Sequence, residues 1–456
     1  MTSPVRRAGR GGAVGVSPAR KSAFEILLRV EREQAWASEL LNAPRMEKLS
    51  REDRGLAHEL VMTTLRWKSS LDARIAPLCS QPLARLDTEV LTSLRLAACQ
   101  LLRLDRIPAH AAVHESVELV KQAGKRSAAP LVNAVLRKLA AGAKVSAATA
   151  SGESARSLAE EFAHPEWLAS RWIDTYQYEA ARAICEADQR PPVTALRLCA
   201  ATAEAELLAE GIRLEPGRML RAARRLVSGE LARSACLREG RVAIQDEGSQ
   251  LVAALVGRGR RILDCCAAPG GKTLAMAQRN PEAEITAIEL HEHRARLLRE
   301  RVAGSRVKVI AADAAVMQYN GEFDRVLADV PCSGTGTLAA SPEIKWKLQP
   351  SQLAGLRDLQ ISILQRAAAA LAPGGRLVYS TCSLEAEEGE RVVEEFLRGE
   401  RGFSLLPCER VLEELRSAGE LACPEPRDLV RGGYMRTLPG VHPCDGFFAA
   451  VIGKDR

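Results

Sequence analysis

The chain has 456 residues, too many for one ordinary core, and about two to four domains are expected. Hydrophobic residues make up 46% and charged residues 27%, and no apolar run approaches the roughly 18 to 20 residues that cross a bilayer. A cytoplasmic, soluble protein without a membrane-spanning helix is therefore expected. The 64 Lys and Arg exceed the 57 Asp and Glu by only seven charges, so net charge alone singles out no partner.

The placement of that charge is more telling. The first 21 residues carry Arg6, Arg7, Arg10, Arg20 and Lys21 and no acid, among Gly, Ser and Pro. Such a stretch cannot bury enough surface to fold, and residues 1–19 read as a disordered basic arm suited to phosphate backbones. A solvated tail or a transit peptide would have the same composition. No apolar core of a secretory signal comes after it.

Residues 20–140 read as helices. Ser50-Arg51-Glu52-Asp53 is a capping-box-like start, with Asp53 in place of the usual Glu or Gln, and Leu56, Leu60 and Leu65 come next at near-helical spacing. Thr88 begins a second run whose broad face holds Val90, Leu91, Leu94, Ala97, Ala98, Leu101 and Leu102. Pro108 breaks it, a third run carries Val113, Val117 and Val120, and Pro130 sits at the start of a fourth. Residues 141–160, rich in Ala, Ser and Gly, have the composition of a linker. Residues 161–244 read as a small α+β connector: a helical pair between Pro165 and Pro191-Pro192, then a strand at Ala195–Leu198.

From residue 245 to 456 the periodicity changes. Short apolar strands at Arg261–Cys265, Ile285–Glu289, Val307–Ala311, Phe323–Ala328 and Arg376–Ser380 alternate with helical stretches, and Gly446–Ile452 adds a last strand. This alternation predicts a parallel α/β sheet, whose ligands bind beyond the carboxyl ends of its strands. The expected architecture is multidomain: an all-α domain, a small α+β connector and a Rossmann-like α/β domain.

The turns just after the strands carry the chemistry. After the first comes Cys266-Ala267-Ala268-Pro269-Gly270-Gly271-Lys272-Thr273, where paired glycines allow close backbone approach and the next helix offers free N–H groups. The spacing is neither that of a P-loop nor GxGxxG. Glu289 ends the second strand, where a carboxylate can accept both hydroxyls of a ribose, and Asp313 lies after the third, where an acid can accept from an adenine amino group. Three such features at successive strand ends point to an adenosine-containing cofactor.

The fourth strand ends in Asp329-Val330-Pro331-Cys332-Ser333-Gly334-Thr335-Gly336 and the fifth in Ser380-Thr381-Cys382-Ser383. None of the twelve cysteines forms a CxxC pair, and a chain this rich in core residues needs no disulfide staples, so free thiols are expected and no metal site. Most should be buried hydrophobes. These two instead occupy polar, Gly-rich turns on neighbouring strands. Two thiols and one acid suit methylation of cytosine at carbon 5. A thiolate adding to carbon 6 makes carbon 5 nucleophilic, an acid near ring nitrogen 3, such as Asp329, stabilises the charge that forms, and a base must then remove the carbon-5 proton.

On these motifs the chain resembles the RsmB (Sun/Fmu) family of bacterial 16S rRNA cytosine-5 methyltransferases. Residues 20–140 resemble the family's NusB-like RNA-binding domain, Gln245–Gln250 its lead-in to the catalytic domain, and Gly446-Phe447-Phe448 its closing strand. The resemblance implies S-adenosylmethionine as methyl donor without a metal, and 16S rRNA or a small-subunit assembly intermediate as partner. It further implies a monomer that needs neither DNA nor membrane. It casts Cys382 as nucleophile and Cys332 as the thiol assisting product release, roles that DNA cytosine-5 methyltransferases distribute differently. It places the cofactor on Cys266, Ala267, Ala268, Pro269, Gly270, Gly271, Lys272, Glu289, Asp313 and Asp329. Glu289 stands where many members carry Asp, and Ala386 and Gly389 replace a common Pro and Asn. Leu338–Pro342 lacks the arginines often seen there, although Lys345 and Lys347 lie close behind. Methylation of another RNA such as tRNA, of RNA uracil or of DNA, and a non-catalytic RNA-binding role in ribosome assembly, are the alternative readings.

Overall fold

Ser50 begins the helix Arg51–Arg66 as its sequence predicts, its Oγ accepting from Asp53 N at 3.1 Å. The structure, a computed structural model, describes residues 15–142, 152–319, 321–423 and 425–456. It divides into two units, Met1–Ser170 with Ser341–Lys347, and Arg171–Ala340 with Leu348–Arg456. Arg6, Arg7, Arg10 and residues 143–151 of the expected linker lie outside the described residues. Among the described residues no helix is long and apolar enough to cross a membrane.

The first unit is helical. Its principal helices are Pro18–Arg32, Arg51–Arg66, Lys68–Ile75, Thr88–Arg103, Ala109–Gln122 and Ala129–Ala140. Their apolar faces form two clusters, one around Phe24, Leu27, Leu60 and Leu65, the other around Leu71, Leu94, Val120 and Val135. Each such buried side chain contributes about 1.5–3 kcal/mol relative to exposure.

The basic stretch ends earlier than expected. Pro18 opens the first helix, and Arg20 is buried, its Nε donating to Gln100 Oε1 at 2.6 Å and its Nη1 to Glu115 Oε1 at 2.9 Å. A buried guanidinium needs such partners, so Arg20 belongs to the helical core. Part of the expected linker is also ordered: Ser154 and Ser157 form a reciprocal capping box at the head of helix Ala155–Glu161.

The second unit holds two sheets. The strands β1 (Ala195–Leu198), β2 (Arg213–Pro216), β3 (Ala223–Ser228) and β4 (Val242–Ile244) form an antiparallel sheet in the order β2-β3-β1-β4. The larger sheet contains β5 (Arg261–Asp264), β6 (Glu284–Glu289), β7 (Val307–Ala311), β8 (Phe323–Asp329), β9 (Leu371–Thr381), β10 (Phe403–Leu406), β11 (Val430–Arg431), β12 (Tyr434–Arg436) and β13 (Phe448–Lys454). Its main path runs β11-β12-β13-β9-β8-β5-β6-β7, with β10 paired to β13.

The strands from β5 to β9 pair in parallel, and β13 closes on β9 antiparallel. The pleat sends Val326, Ala328, Leu377 and Tyr379 into one apolar layer and Leu327 and Val378 into the other. Strand order reverses between β5 and β8, because β6 and β7 lie on one side of β5 and β8 and β9 on the other. Such a switch point opens a crevice at the carboxyl ends of the strands.

Candidate active site

The crevice is bordered by five strand ends. After β5 the chain turns through Cys265 to Gly270 into the helix Gly271–Arg279. Gly270 has φ +101°, a conformation that side chains disfavour, and no side chain caps the helix. The first-turn N–H groups are thus left for a ligand.

Asp264, the last residue of β5, is buried and receives a hydrogen bond from Thr273 Oγ1 at 2.6 Å on Oδ2, while Oδ1 has no partner. Burial pushes its carboxyl up to about 7, with the charge of Asp329 acting in the same direction. Sequence reasoning missed it, although a lone acid ending the run Ile262-Leu263-Asp264 was a usable signal.

Glu289 ends β6, buried, with Oε1 accepting from His291 N at 3.0 Å. Asp313 lies two residues beyond β7 and is exposed, its Oδ1 accepting from Ala315 N at 2.8 Å. Ala312 N donates to Glu289 O at 3.0 Å, so the two acids stand on adjoining strand ends. Each keeps one carboxylate oxygen beyond these bonds. Cys266 is half-buried, and burial holds its thiol well above the ordinary range.

Lys272 and Asp329 meet directly, Nζ to Oδ2 at 2.7 Å. Ser380 Oγ donates to the other oxygen, Asp329 Oδ1, at 2.7 Å. Burial opposes the ammonium charge of Lys272, but Asp329 outweighs it and raises the pKa. The Phe447 ring lies under the same ammonium, 5.0 Å from Nζ to its centroid.

Parallel pairing of β8 with β9 sets Asp329 beside Ser380 and so brings the next turns together. Cys332 Sγ and Cys382 Sγ are 3.3 Å apart. The hydrogen bond from Cys332 lowers the pKa of Cys382 against the cost of burial and the charge of Asp329, and Lys272 acts in the same direction as the bond. Cys332 is held well above the ordinary thiol range by that bond and by burial. The two thiols are therefore unequal, Cys382 being the more acidic.

Backbone contacts lock this arrangement. Gly336 N donates to Cys382 O at 2.9 Å, and Gly446 N donates to Gly336 O at 2.8 Å. A Cβ on Gly336 would lie 2.2 Å from Gly446 O, so only glycine fits. Asp445, just before this contact, is held well above its usual range by burial and by the charges of Asp246 and Cys382. Neither Asp445 nor Glu388, a buried acid behind the cysteine turns, was singled out from sequence.

The structure thus brings together Lys272, Asp329, Cys332 and Cys382, with the turn after β5 alongside. Lys345 is buried, and Lys347 Nζ donates to Gln34 O at 2.9 Å and Ala35 O at 2.8 Å. A separate cavity of about 610 Å³, lined by Arg197, Gln278, Arg301 and Arg306, lies by the amino ends of β6 and β7 and borders none of these residues.

Residues 255–453 match the family described as 16S rRNA methyltransferase RsmB/F, and residues 17–141 match the NusB family. The chain is 36% identical over 451 residues to the probable ribosomal RNA small subunit methyltransferase B of Bacillus subtilis, covering 95% of this chain and 98% of that one. It is 32% identical to the ribosomal RNA small subunit methyltransferase B of Vibrio cholerae, covering 90% and 91%. Among solved structures, a methyltransferase homolog protein from Pyrococcus horikoshii is similar with a TM-score of 0.52 and 26% identity, covering 65% of this chain and 97% of that one.

Proposed function

Because the chain belongs to the RsmB/F family of 16S rRNA methyltransferases, we propose that it methylates carbon 5 of a cytosine in 16S rRNA, with Cys382 as nucleophile. The observation that carries this reading is the pair of sulfurs 3.3 Å apart beside the Lys272–Asp329 ion pair. Neither thiol would be needed to methylate a nucleophilic nitrogen or oxygen. An unreactive ring carbon needs one thiol to activate it and a second group to complete the exchange.

The turn from Cys266 to Lys272, together with Glu289, Asp313 and Asp329, would hold S-adenosylmethionine. The fit rests on the donor set: uncapped helix N–H groups beside a Gly-rich turn, and two acids at adjoining strand ends with an oxygen each to spare. When bound, S-adenosylmethionine supplies an electrophilic methyl group.

The protein's own side chains do the rest. The Cys382 thiolate forms a bond to carbon 6, and the electron pair displaced within the ring makes carbon 5 nucleophilic. The Lys272–Asp329 pair steadies the charge that develops on the ring. Once carbon 5 is methylated, Cys332, having first given its own proton to water, takes the carbon-5 proton as a thiolate, and the electrons of that C–H bond re-form the ring double bond and expel Cys382 as thiolate. The base must leave its stack to reach these groups, and the NusB-like domain supplies a second RNA contact for that purpose.

The test is covalent trapping. Incubated with 16S rRNA and S-adenosylmethionine, the Cys332→Ala protein should accumulate an RNA–protein adduct stable to denaturation, and Cys382→Ala should form none. The opposite pattern would reverse the two roles, and no adduct with either variant would overturn the reading. Bisulfite mapping of the rRNA would identify the cytosine.

A further inference from the structure

Glu388 sits in the acid-rich run Glu385-Ala386-Glu387-Glu388-Gly389-Glu390, which by composition is a solvated turn. It is nevertheless fully buried, with 0% exposure. Its Oε1 accepts from Ser333 N at 2.8 Å and from Gln360 Nε2 at 2.9 Å, and its Oε2 accepts from Ser383 Oγ at 2.5 Å and from Ser333 Oγ. Its backbone carbonyl accepts from Tyr379 OH at 2.7 Å. Gln360 also donates to Pro331 O at 2.9 Å.

A buried carboxylate without a cation is costly unless several donors surround it, and here four do. Their origin is informative. Ser333 is next to Cys332 in the chain and Ser383 is next to Cys382, so one carboxylate holds the neighbour of each reactive sulfur.

Building on the cytosine reading, we propose that Glu388 is a positioning residue for methyl transfer: it clamps the turn bearing Cys332 to the turn bearing Cys382, so that both sulfurs reach the same base. It touches neither base nor cofactor and acts only through the two serines. A glutamine in its place keeps the shape but brings an NH₂ group to face the donors on one side. An aspartate is one methylene too short to span both turns.

The test compares full-length wild-type, Glu388→Gln and Glu388→Asp proteins in single-turnover methyl transfer to 16S rRNA. Displacing a reacting group by about 1 Å can cost on the order of 10²-fold, and a loss of that size is expected in both variants, with affinity for S-adenosylmethionine unchanged. In the Cys332→Ala background, where attack can be measured alone, adding Glu388→Gln should slow adduct formation. Its pH profile should also move to lower pH, because a negative charge near both thiols is gone while Lys272 and Asp329 remain. Should Glu388→Gln fail to fold, Ser333→Ala and Ser383→Ala each remove one strap, and each should slow transfer by about tenfold, the loss of one hydrogen bond to a charged group. Wild-type rates and an unmoved pH profile in every folded variant would overturn the proposal. A Cys332→Ala protein that forms no adduct with RNA would instead overturn the cytosine reading on which it rests.

Discussion

Lys272 Nζ and Asp329 Oδ2, 2.7 Å apart, join the Gly-rich turn after β5 to the end of β8, and the Lys272 charge favours ionisation of the Cys382 thiol. The two partners act oppositely on that thiol, Asp329 raising its pKa and Lys272 lowering it. Lys272→Met should shift alkylation of Cys382 to higher pH than in wild type, measured by mass spectrometry of its peptide. Methyl transfer should fall about 10²- to 10³-fold, the usual cost of losing one electrostatic stabiliser. An unchanged alkylation profile would remove Lys272 from the account of thiolate formation.

Asp264 should make stability depend on pH. Its folded value, about 7, lies above the roughly 3.9 of an unfolded Asp, so the folded state holds the proton more tightly. This contribution is complete below about pH 4 and is lost as pH rises through 7, on the order of 4 kcal/mol in all. Asp264→Asn should flatten the profile of denaturation midpoints between pH 4 and 8. Parallel profiles for the two proteins would show that the carboxyl titrates elsewhere.

Gly336→Ala should be among the most damaging small substitutions in the catalytic unit. The new methyl would meet Gly446 O at 2.2 Å, and the displaced backbone is the one that bonds Cys382 O. A loss of about 1–3 kcal/mol or more is expected in chemical denaturation, together with a collapse of methyl transfer. Gly446→Ala strikes the same contact from the other side, 2.8 Å from Gly336 Cα. The double variant should therefore lose less than the sum of the two. Strict additivity would mean that the glycines do not act as one contact.

These residues also mark how far the sequence could be read. Strand ends carrying Glu289, Asp329 and Cys382 were legible because apolar runs stop abruptly at polar turns, and parallel pairing then dictates which turns meet. The strand Leu371–Thr381 begins five residues before its expected start. Its opening Leu371-Ala372-Pro373-Gly374-Gly375 has turn composition, yet a register shift between Phe323 and Arg325 lets it pair with β8. Arg20 was counted among the basic residues of the first 21 because composition cannot show Gln100 and Glu115 waiting about 80 and 95 residues away. Glu388 was illegible for the same reason. Nothing local separates it from Glu387, and only the meeting of two distant turns gives it four donors.

The 3.3 Å between Cys332 Sγ and Cys382 Sγ has a consequence for redox chemistry. A disulfide needs the sulfurs at about 2.05 Å, a short closure for side chains on adjacent turns. Hydrogen peroxide, attacked by the more acidic Cys382 thiol, would take two electrons from the pair and leave a disulfide and two molecules of water. Peroxide should then abolish methylation in wild type, with loss of two hydrogens between the two peptides and recovery on adding dithiothreitol, and Cys332→Ala should show no such linkage. The same closeness makes the two thiols a single oxidisable unit, so both would be silenced together.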